Sequence, residues 1–152
     1  MPNNITNDQQ LREALNTLNA VQQRQLGGLF VSSIRHLSGD ARIGRAIEAA
    51  ANADIPAQEL EDVYKSVKAF ATQTYTACGQ DADWAAQAEH FVAAAAAASL
   101  ATEEQAGTKG NNAWKSAMQA RMAKNCEMIL NDEGGVDNEA EKQYEIAGKF
   151  LG

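Results

Sequence analysis

Residues 81–101 read DADWAAQAEHFVAAAAAASLA and include six consecutive alanines at positions 93–98. Alanine is the strongest helix former because its side chain loses no rotamer entropy when the helix orders. One apolar stripe follows helical spacings of three and four residues: Trp84, Ala88, Phe91, Ala95 and Ala98. The alanines beside this stripe are small enough for neighbouring helices to approach on several sides. We therefore predict a central alanine-rich helix at about 81–101.

Helix start and stop signals recur through the rest of the chain. Residues 6–9 and 19–22 carry capping-box patterns, residues 38–40 stop one helix and cap another, and Pro56 suits the first turn of a helix. These signals predict a first helix after Thr6, a second from Asn19 to about Leu37, a third from Ala41 to about Ala53, a fourth from Pro56 to about Cys78, a sixth from Ala113 to about Asn131, and a last helix capped by Asp137.

The fold class follows from the periodicity of the whole chain. No stretch alternates in the strand period, and only two prolines interrupt the sequence. The chain is therefore predicted to be all-α, a single domain spanning 1–152 built as an antiparallel bundle of six or seven helices. Residues 106–112, AGTKGNN, are the longest irregular segment and predict a loop.

Two features predict how the helices pack. Gly27 and Gly28 lie inside the second helix, where each glycine costs about 1 kcal/mol relative to alanine, so they indicate a helix crossing at short range. Leu29, in the same helix, is expected to point inward. The sixth helix is expected to bury one stripe: Trp114, Met118, Met122, Cys126 and Ile129.

The net charge of −7 is concentrated in the second half of the chain. Residues 77–152 hold six Lys or Arg against twelve Asp or Glu, whereas residues 1–76 hold seven against eight. The acidic residues near the last helix include four candidate partner-binding residues: Asp132, Glu133, Glu141 and Glu145. This charge disfavours nucleic acid as a partner and favours a basic protein surface.

Membrane and export signals are missing from the sequence pattern. The alanine run is only weakly apolar, and the N-terminal MPNNIT has neither a basic segment nor a hydrophobic signal region. We therefore expect a cytoplasmic protein with no membrane partner. Homodimerisation through an alanine-rich or methionine-bearing helix face is compatible with this interpretation.

His90, Trp84 and Trp114 are the candidate residues for binding a cofactor or small ligand. Histidine titrates near neutral pH and binds metals and haem. His90 follows Glu89 directly, and adjacent helical residues point about 100° apart, so the two do not share a site. The sequence has no Glu-x-x-His or His-x-x-x-His pair, and we predict no metal site and no cofactor. A hydrogen-bonded histidine between two helices is the simpler explanation of His90.

A globin-like haem protein is a specific version of the cofactor hypothesis. Chain length, helix count and a mid-chain helical histidine fit it loosely. In globins a phenylalanine packs on the haem near the third helix, but residues 39–55 contain no aromatic residue here. The helix predicted on the other side of the ring offers Val63 and Tyr64 but no histidine. The sequence therefore disfavours this version.

No arrangement of residues predicts catalysis. Cys78 has no oriented base, because His90 is twelve residues away and no third group orients the pair. Cys78 and Cys126 are interpreted as free thiols, since two distant cysteines do not form a disulfide framework. No phosphate-binding loop, Ser/His/Asp set or carboxylate pair stands out. These observations favour a non-enzymatic protein.

Two segments, DARIGRAIEAA at 40–50 and AEHFVAAA at 88–95, resemble a family of bacterial immunity proteins. These are small alanine-rich helical domains encoded beside polymorphic toxins. The resemblance implies a protein without catalytic activity that acts by binding a cognate toxin. Our leading hypothesis from the sequence is a helical protein-binding module acting through an acidic face. The alternative is a helical binder of a cofactor or small ligand centred on His90.

Overall fold

The structure, a computed structural model, describes residues 4–78, 83–102, 111–131 and 138–152. Within these ranges the chain forms seven α-helices, one 3₁₀ turn at Arg35–Leu37 and no β-strand, so the all-α helical bundle is confirmed. The helices are α1 (Asp8–Asn16), α2 (Ala20–Ser32), α3 (Ala41–Ala51), α4 (Ala57–Cys78), α5 (Trp84–Leu100), α6 (Asn112–Leu130) and α7 (Glu139–Leu151). None of these helices combines the length and apolar character needed to cross a bilayer.

The alanine-rich helix α5 is the centre of the bundle. It packs against α2, α3, α4 and α6. Its buried residues lie on more than one side of the helix: Ala88, Val92, Ala93, Ala95, Ala96, Ala97, Ser99 and Leu100. The helix begins at Trp84, and the side chain of Asp83 caps it by accepting a hydrogen bond from the backbone N–H of Ala86 at 3.1 Å. The predicted central helix is confirmed, although residues 81 and 82 lie outside the described ranges.

Glycines in α2 allow α3 and α5 to approach closely, as predicted. A Cβ atom built on Gly28 would lie 2.6 Å from the Cβ of Ala50 in α3, and one on Gly27 would lie 2.9 Å from the Cβ of Ser99 in α5. Both distances are too short for real carbon atoms. Only glycine permits these two helix crossings at their observed separation.

The predicted apolar stripe of α6 is only partly correct. Met122 and Ile129 are 45% and 51% exposed, whereas the helix buries mainly small residues: Ala113, Ser116, Ala117, Ala120, Ala123 and Cys126. The backbone of α6 lies so close to α5 that alanine and serine fill the contact, and the larger side chains fall beside it. Leu29 of α2 was also expected inside the protein and is 43% exposed.

Several predicted helix boundaries shift by a few residues. Asn7 caps α1 where Thr6 was expected, and α2 ends at Ser32 because the chain then turns through the 3₁₀ segment before Leu37. Asn138 caps α7; the expected cap, Asp137, lies outside the described residues. The loop predicted at 106–112 falls mostly outside them as well, and its last residue begins α6.

A polar network joins the first and last helices to α6. Arg121 of α6 donates two hydrogen bonds to the carboxylate of Asp8 in α1, at 2.7 and 3.0 Å, and a third to Gln143 of α7 at 2.8 Å. Tyr144 of α7 donates to the same carboxylate at 2.7 Å. The hydrogen bonds from Arg121 hold the pKa of Asp8 below its usual value, despite partial burial. Charge-assisted bonds of this bidentate kind fix orientation as well as adding stability.

Replacing Gly28 by alanine tests the close crossing of α2 and α3. The new Cβ would overlap the Cβ of Ala50, which cannot move aside as the end of a flexible side chain can. We expect this overpacking to destabilise the protein by about 1–3 kcal/mol, which exceeds the roughly 1 kcal/mol gained from the better helix propensity of alanine. Gly44→Ala in α3 is a matched control, because its Cβ meets only the end of the Arg35 side chain. Urea denaturation should show a lower free energy of unfolding for Gly28→Ala and an unchanged or higher one for Gly44→Ala. Equal stability gains in both variants would contradict the crossing.

Candidate ligand-binding groove beside His90

An open groove with a volume of about 790 Å³ runs between α4, α5 and α6. The helix α5 forms its floor, and α4 and α6 form its two walls. It is called the His90 groove below. Its lining consists of Tyr64, Lys68, Ala71, Thr72 and Tyr75 from α4, His90, Phe91, Ala94, Ala97 and Ala98 from α5 together with the following Ala101, and Trp114, Lys115, Met118 and Gln119 from α6.

The shape of the His90 groove follows from the residue sizes on the three helices. Ala94, Ala97, Ala98 and Ala101 supply a floor without bulky side chains. The walls carry aromatic rings and a thioether, which are large and polarisable. From His90 to Ala101 the chain advances about 16 Å at 1.5 Å per helical residue. A low floor between high aromatic walls makes a concave apolar surface of this length.

Hydrogen bonds to α4 fix the ring of His90. Its Nδ1 lies 3.0 Å from the carbonyl oxygen of Ala71 and 3.1 Å from the hydroxyl of Thr74. A carbonyl oxygen can only accept, so Nδ1 carries the proton in the neutral ring. The ring also packs beside Tyr75 and Phe91, with centroids 5.5 and 5.3 Å away. Nε2 is therefore the ring nitrogen that keeps a lone pair.

The surroundings of His90 favour its neutral form. Burial is the main cause that lowers the pKa of His90 below its usual 6.5, and the positive charge of Lys68 lowers it further. The hydrogen bond to Ala71 opposes this shift without cancelling it. The ring is thus predominantly uncharged at neutral pH. Within the described part of the chain, no group of three His, Cys, Asp or Glu side chains is placed to hold a metal ion.

The groove gathers two of the three residues that the sequence suggested as ligand contacts. His90 and Trp114 both line it, from different helices. Trp84 does not line it; this residue is half-buried at the first position of α5. The interpretation of His90 as a hydrogen-bonded residue between two helices is confirmed by its bonds to α4.

Three lining residues of α4, Lys68, Thr72 and Tyr75, were not predicted, and Tyr64 was considered only as a haem contact. Tyr64, Lys68, Thr72 and Tyr75 are spaced by four, four and three residues, which places them on one helix face. The buried stripe of α4, which includes Val67, Phe70 and Ala71, runs beside it. The presence of tyrosines and a lysine on one helix face was the feature of the sequence from which a solvent-accessible aromatic surface could have been predicted.

The acidic residues proposed to bind a partner are only partly within the described chain. Glu141 and Glu145 are exposed on α7, four residues apart. Glu145 forms an ion pair with Lys149 at 3.0 Å. Asp132 and Glu133 lie outside the described residues. The side chain of Cys78 does too, whereas Cys126 is a buried free thiol, as expected.

The lowered pKa of His90 predicts a specific pH dependence of stability. The unfolded chain takes up a proton at this residue near pH 6.5, while the folded chain resists it, so the free energy of unfolding falls as the pH drops below about 6.5. Thermal unfolding of wild type and His90→Gln between about pH 7.5 and about pH 5.5 measures this loss. We expect the wild type to lose more stability than the variant, because all other titrating groups are common to both. A parallel decline of the two proteins would contradict the neutral histidine.

Comparison with known proteins yields no relative for this chain. No protein-family model matches it, and neither a curated protein nor a solved structure does. The His90 groove combines concave shape, apolar area and a few polar groups, which together are typical of ligand-binding sites.

Proposed function

We propose that this protein binds a small apolar ligand in the His90 groove. The observation that carries this proposal is the groove itself, an aromatic-walled concavity of about 790 Å³ over an alanine floor. Ligand-binding pockets are usually about 300–1,000 Å³ and are lined by apolar and aromatic side chains with a few placed polar groups. His90, Lys68 and Lys115 are the polar groups suited to orient such a ligand.

The chemistry of the lining supports binding over catalysis. His90 is the one side chain there that titrates near neutral pH, and its Nδ1 is engaged with the backbone of α4. Its lining, as far as the structure describes it, has two lysines but no carboxylate or thiol to act with the imidazole. Such a set can accept a hydrogen bond and attract charge. Acid–base or nucleophilic catalysis needs a second group within hydrogen-bond reach of the first.

An uncharged fluorescent probe tests occupancy of the His90 groove. N-phenyl-1-naphthylamine brightens when it enters an apolar site, and we expect saturable binding to the wild-type chain. Ala94→Phe should abolish binding by filling the floor of the groove. Ala85→Phe is the matched control, because Ala85 is exposed on α5 and lies outside the groove.

A second blocking variant distinguishes a filled groove from loss of binding caused by misfolding of Ala94→Phe. Thr72→Trp narrows the groove from an exposed position on α4 and should also weaken probe binding, with little change in melting temperature. Probe binding that survives in a folded Thr72→Trp or Ala94→Phe variant would place the probe elsewhere. Absence of saturable binding to the wild type would overturn the proposed function.

A second candidate function is binding of a basic protein through the acidic surface of α7. The observation in its favour is that Glu141 and Glu145 are both exposed at a spacing of four residues, where like charges repel by a few tenths of a kcal/mol. This repulsion does not stabilise the helix, although Glu141 lies in the first turn of α7 and Glu145 pairs with Lys149. The resemblance to bacterial immunity proteins supports the same candidate. In this candidate function the protein would bind its toxin in the cytoplasm.

Neutralising the acidic surface of α7 tests this candidate. We expect Glu141→Gln alone to leave or raise the melting temperature, because it removes the repulsion and keeps the ion pair of Glu145 with Lys149. The double variant with Glu145→Gln should slow association with a basic partner, most strongly at low ionic strength. Surface plasmon resonance at two salt concentrations measures the rates. An association rate indifferent to both the substitutions and the salt would leave this surface without a binding role.

A further inference from the structure

The lining of the His90 groove carries a charge opposite in sign to that of the whole chain. The sequence contains 20 acidic and 13 basic residues, with a net charge of −7. Among the described residues that line the groove, however, are Lys68 and Lys115 and no Asp or Glu. A negatively charged protein would repel an anionic ligand from most of its surface. The groove is a local exception to that repulsion.

The register of the helices places both lysines along the apolar part of the groove. His90 bonds to the carbonyl of Ala71, and Lys68 precedes Ala71 by three residues, so it lies about one helical turn along α4 from His90. On the opposite wall the hydroxyl of Ser116 donates to the carbonyl of Ala95 at 2.9 Å. Lys115 directly precedes Ser116. The two lysines therefore line the groove from opposite walls.

The charge of Lys68 has no local structural use within the described residues. The ion pair recorded for α4 joins Lys65 to Glu61 at 3.3 Å, and Lys68 takes part in no ion pair with a described carboxylate. Lys68 lines the groove, and its charge also lowers the pKa of His90. An anion seated in the groove would provide Lys68 with a counter-charge.

We propose that the ligand of the His90 groove is an amphipathic organic anion, with its apolar body on the alanine floor and its carboxylate or sulfonate at Lys68. This inference rests on the proposed function and adds the chemical class of the ligand. Tyr64, Tyr75 and Trp114 cover the apolar body, and the lysines on the two walls select the sign of the head group. Burial of apolar area supplies most of the affinity, and the charge supplies the selectivity.

Displacement of the neutral probe by charged chains of equal length tests the ligand class. Dodecanoate and dodecyltrimethylammonium, each below its micelle-forming concentration, compete with N-phenyl-1-naphthylamine on the full chain. We expect dodecanoate to displace the probe at the lower concentration. Raising the ionic strength from about 0.05 to about 0.5 M should reduce this advantage, because salt screens exposed charges.

Charge variants of α4 identify the group responsible. Lys68 is exposed, so its pairing with an anion is worth at most about 1 kcal/mol, and Lys68→Gln should weaken dodecanoate about three- to fivefold. Lys68→Arg should retain tight binding. Lys65→Gln is the matched control, since it removes a lysine from the same helix outside the groove and should leave dodecanoate unchanged. Affinity for the neutral probe should be the same in all four proteins.

The outcomes separate the ligand class from the proposed function. If the neutral probe binds in the groove but both charged chains displace it equally, or if Lys68→Gln leaves dodecanoate unaffected, the anion assignment is wrong and the groove remains a binding site. If the cationic chain binds more tightly, the assignment is also wrong. If the neutral probe does not bind the wild type at all, both proposals fail.

Discussion

The structure depends on the contact of three small residues from three helices. Gly27 of α2, Ser99 of α5 and Ser116 of α6 meet where these helices come together. The hydroxyl of Ser116 lies 3.1 Å from the carbonyl of Gly27 and 2.9 Å from that of Ala95, so one side chain links α6 to both neighbours. Such contacts are possible only between backbones that nearly touch. Larger residues at these three positions would push α2 and α6 away from α5 and disrupt the close packing of the bundle.

The same constraint accounts for the His90 groove. Because α5 is mostly alanine, the backbones of neighbouring helices can pack closely against one side of it. On another side its alanine side chains are too short to fill the space between α4 and α6. Between α4 and α6 this space is bounded by aromatic side chains such as Tyr64 and Trp114. The close-packed core and the groove therefore both result from the alanine-rich composition of α5. Filling the groove would require a large residue on α5, or a molecule from outside the chain.

The helices could be predicted from the sequence because their caps and periodicity are local properties. The capping box of Asn19 and Gln22 and the crossing at Gly27 and Gly28 were both recognisable for this reason. The buried face of α6 could not be predicted in this way. Whether a helix buries its large or its small side chains depends on how closely the neighbouring helix, here α5, approaches. Met122 was assigned to the core by its hydrophobicity, yet the close approach excluded it. His90 and Trp114 were predicted together with Trp84 as ligand contacts, but only tertiary packing unites them with the stripe on α4.

His90 has a structural role that also suits the proposed binding site. Its Nδ1 ties α5 to the backbone of α4, which stabilises the wall of the groove and holds the ring in one orientation. The same bond determines the tautomer and leaves Nε2 as the acceptor on the ring. Burial keeps the ring neutral, so the positive charge near the groove belongs to the lysines and not to the histidine. Hydrogen-bond acceptance and charge attraction are thereby assigned to different side chains, and a ligand can be oriented by one while it is selected by the other.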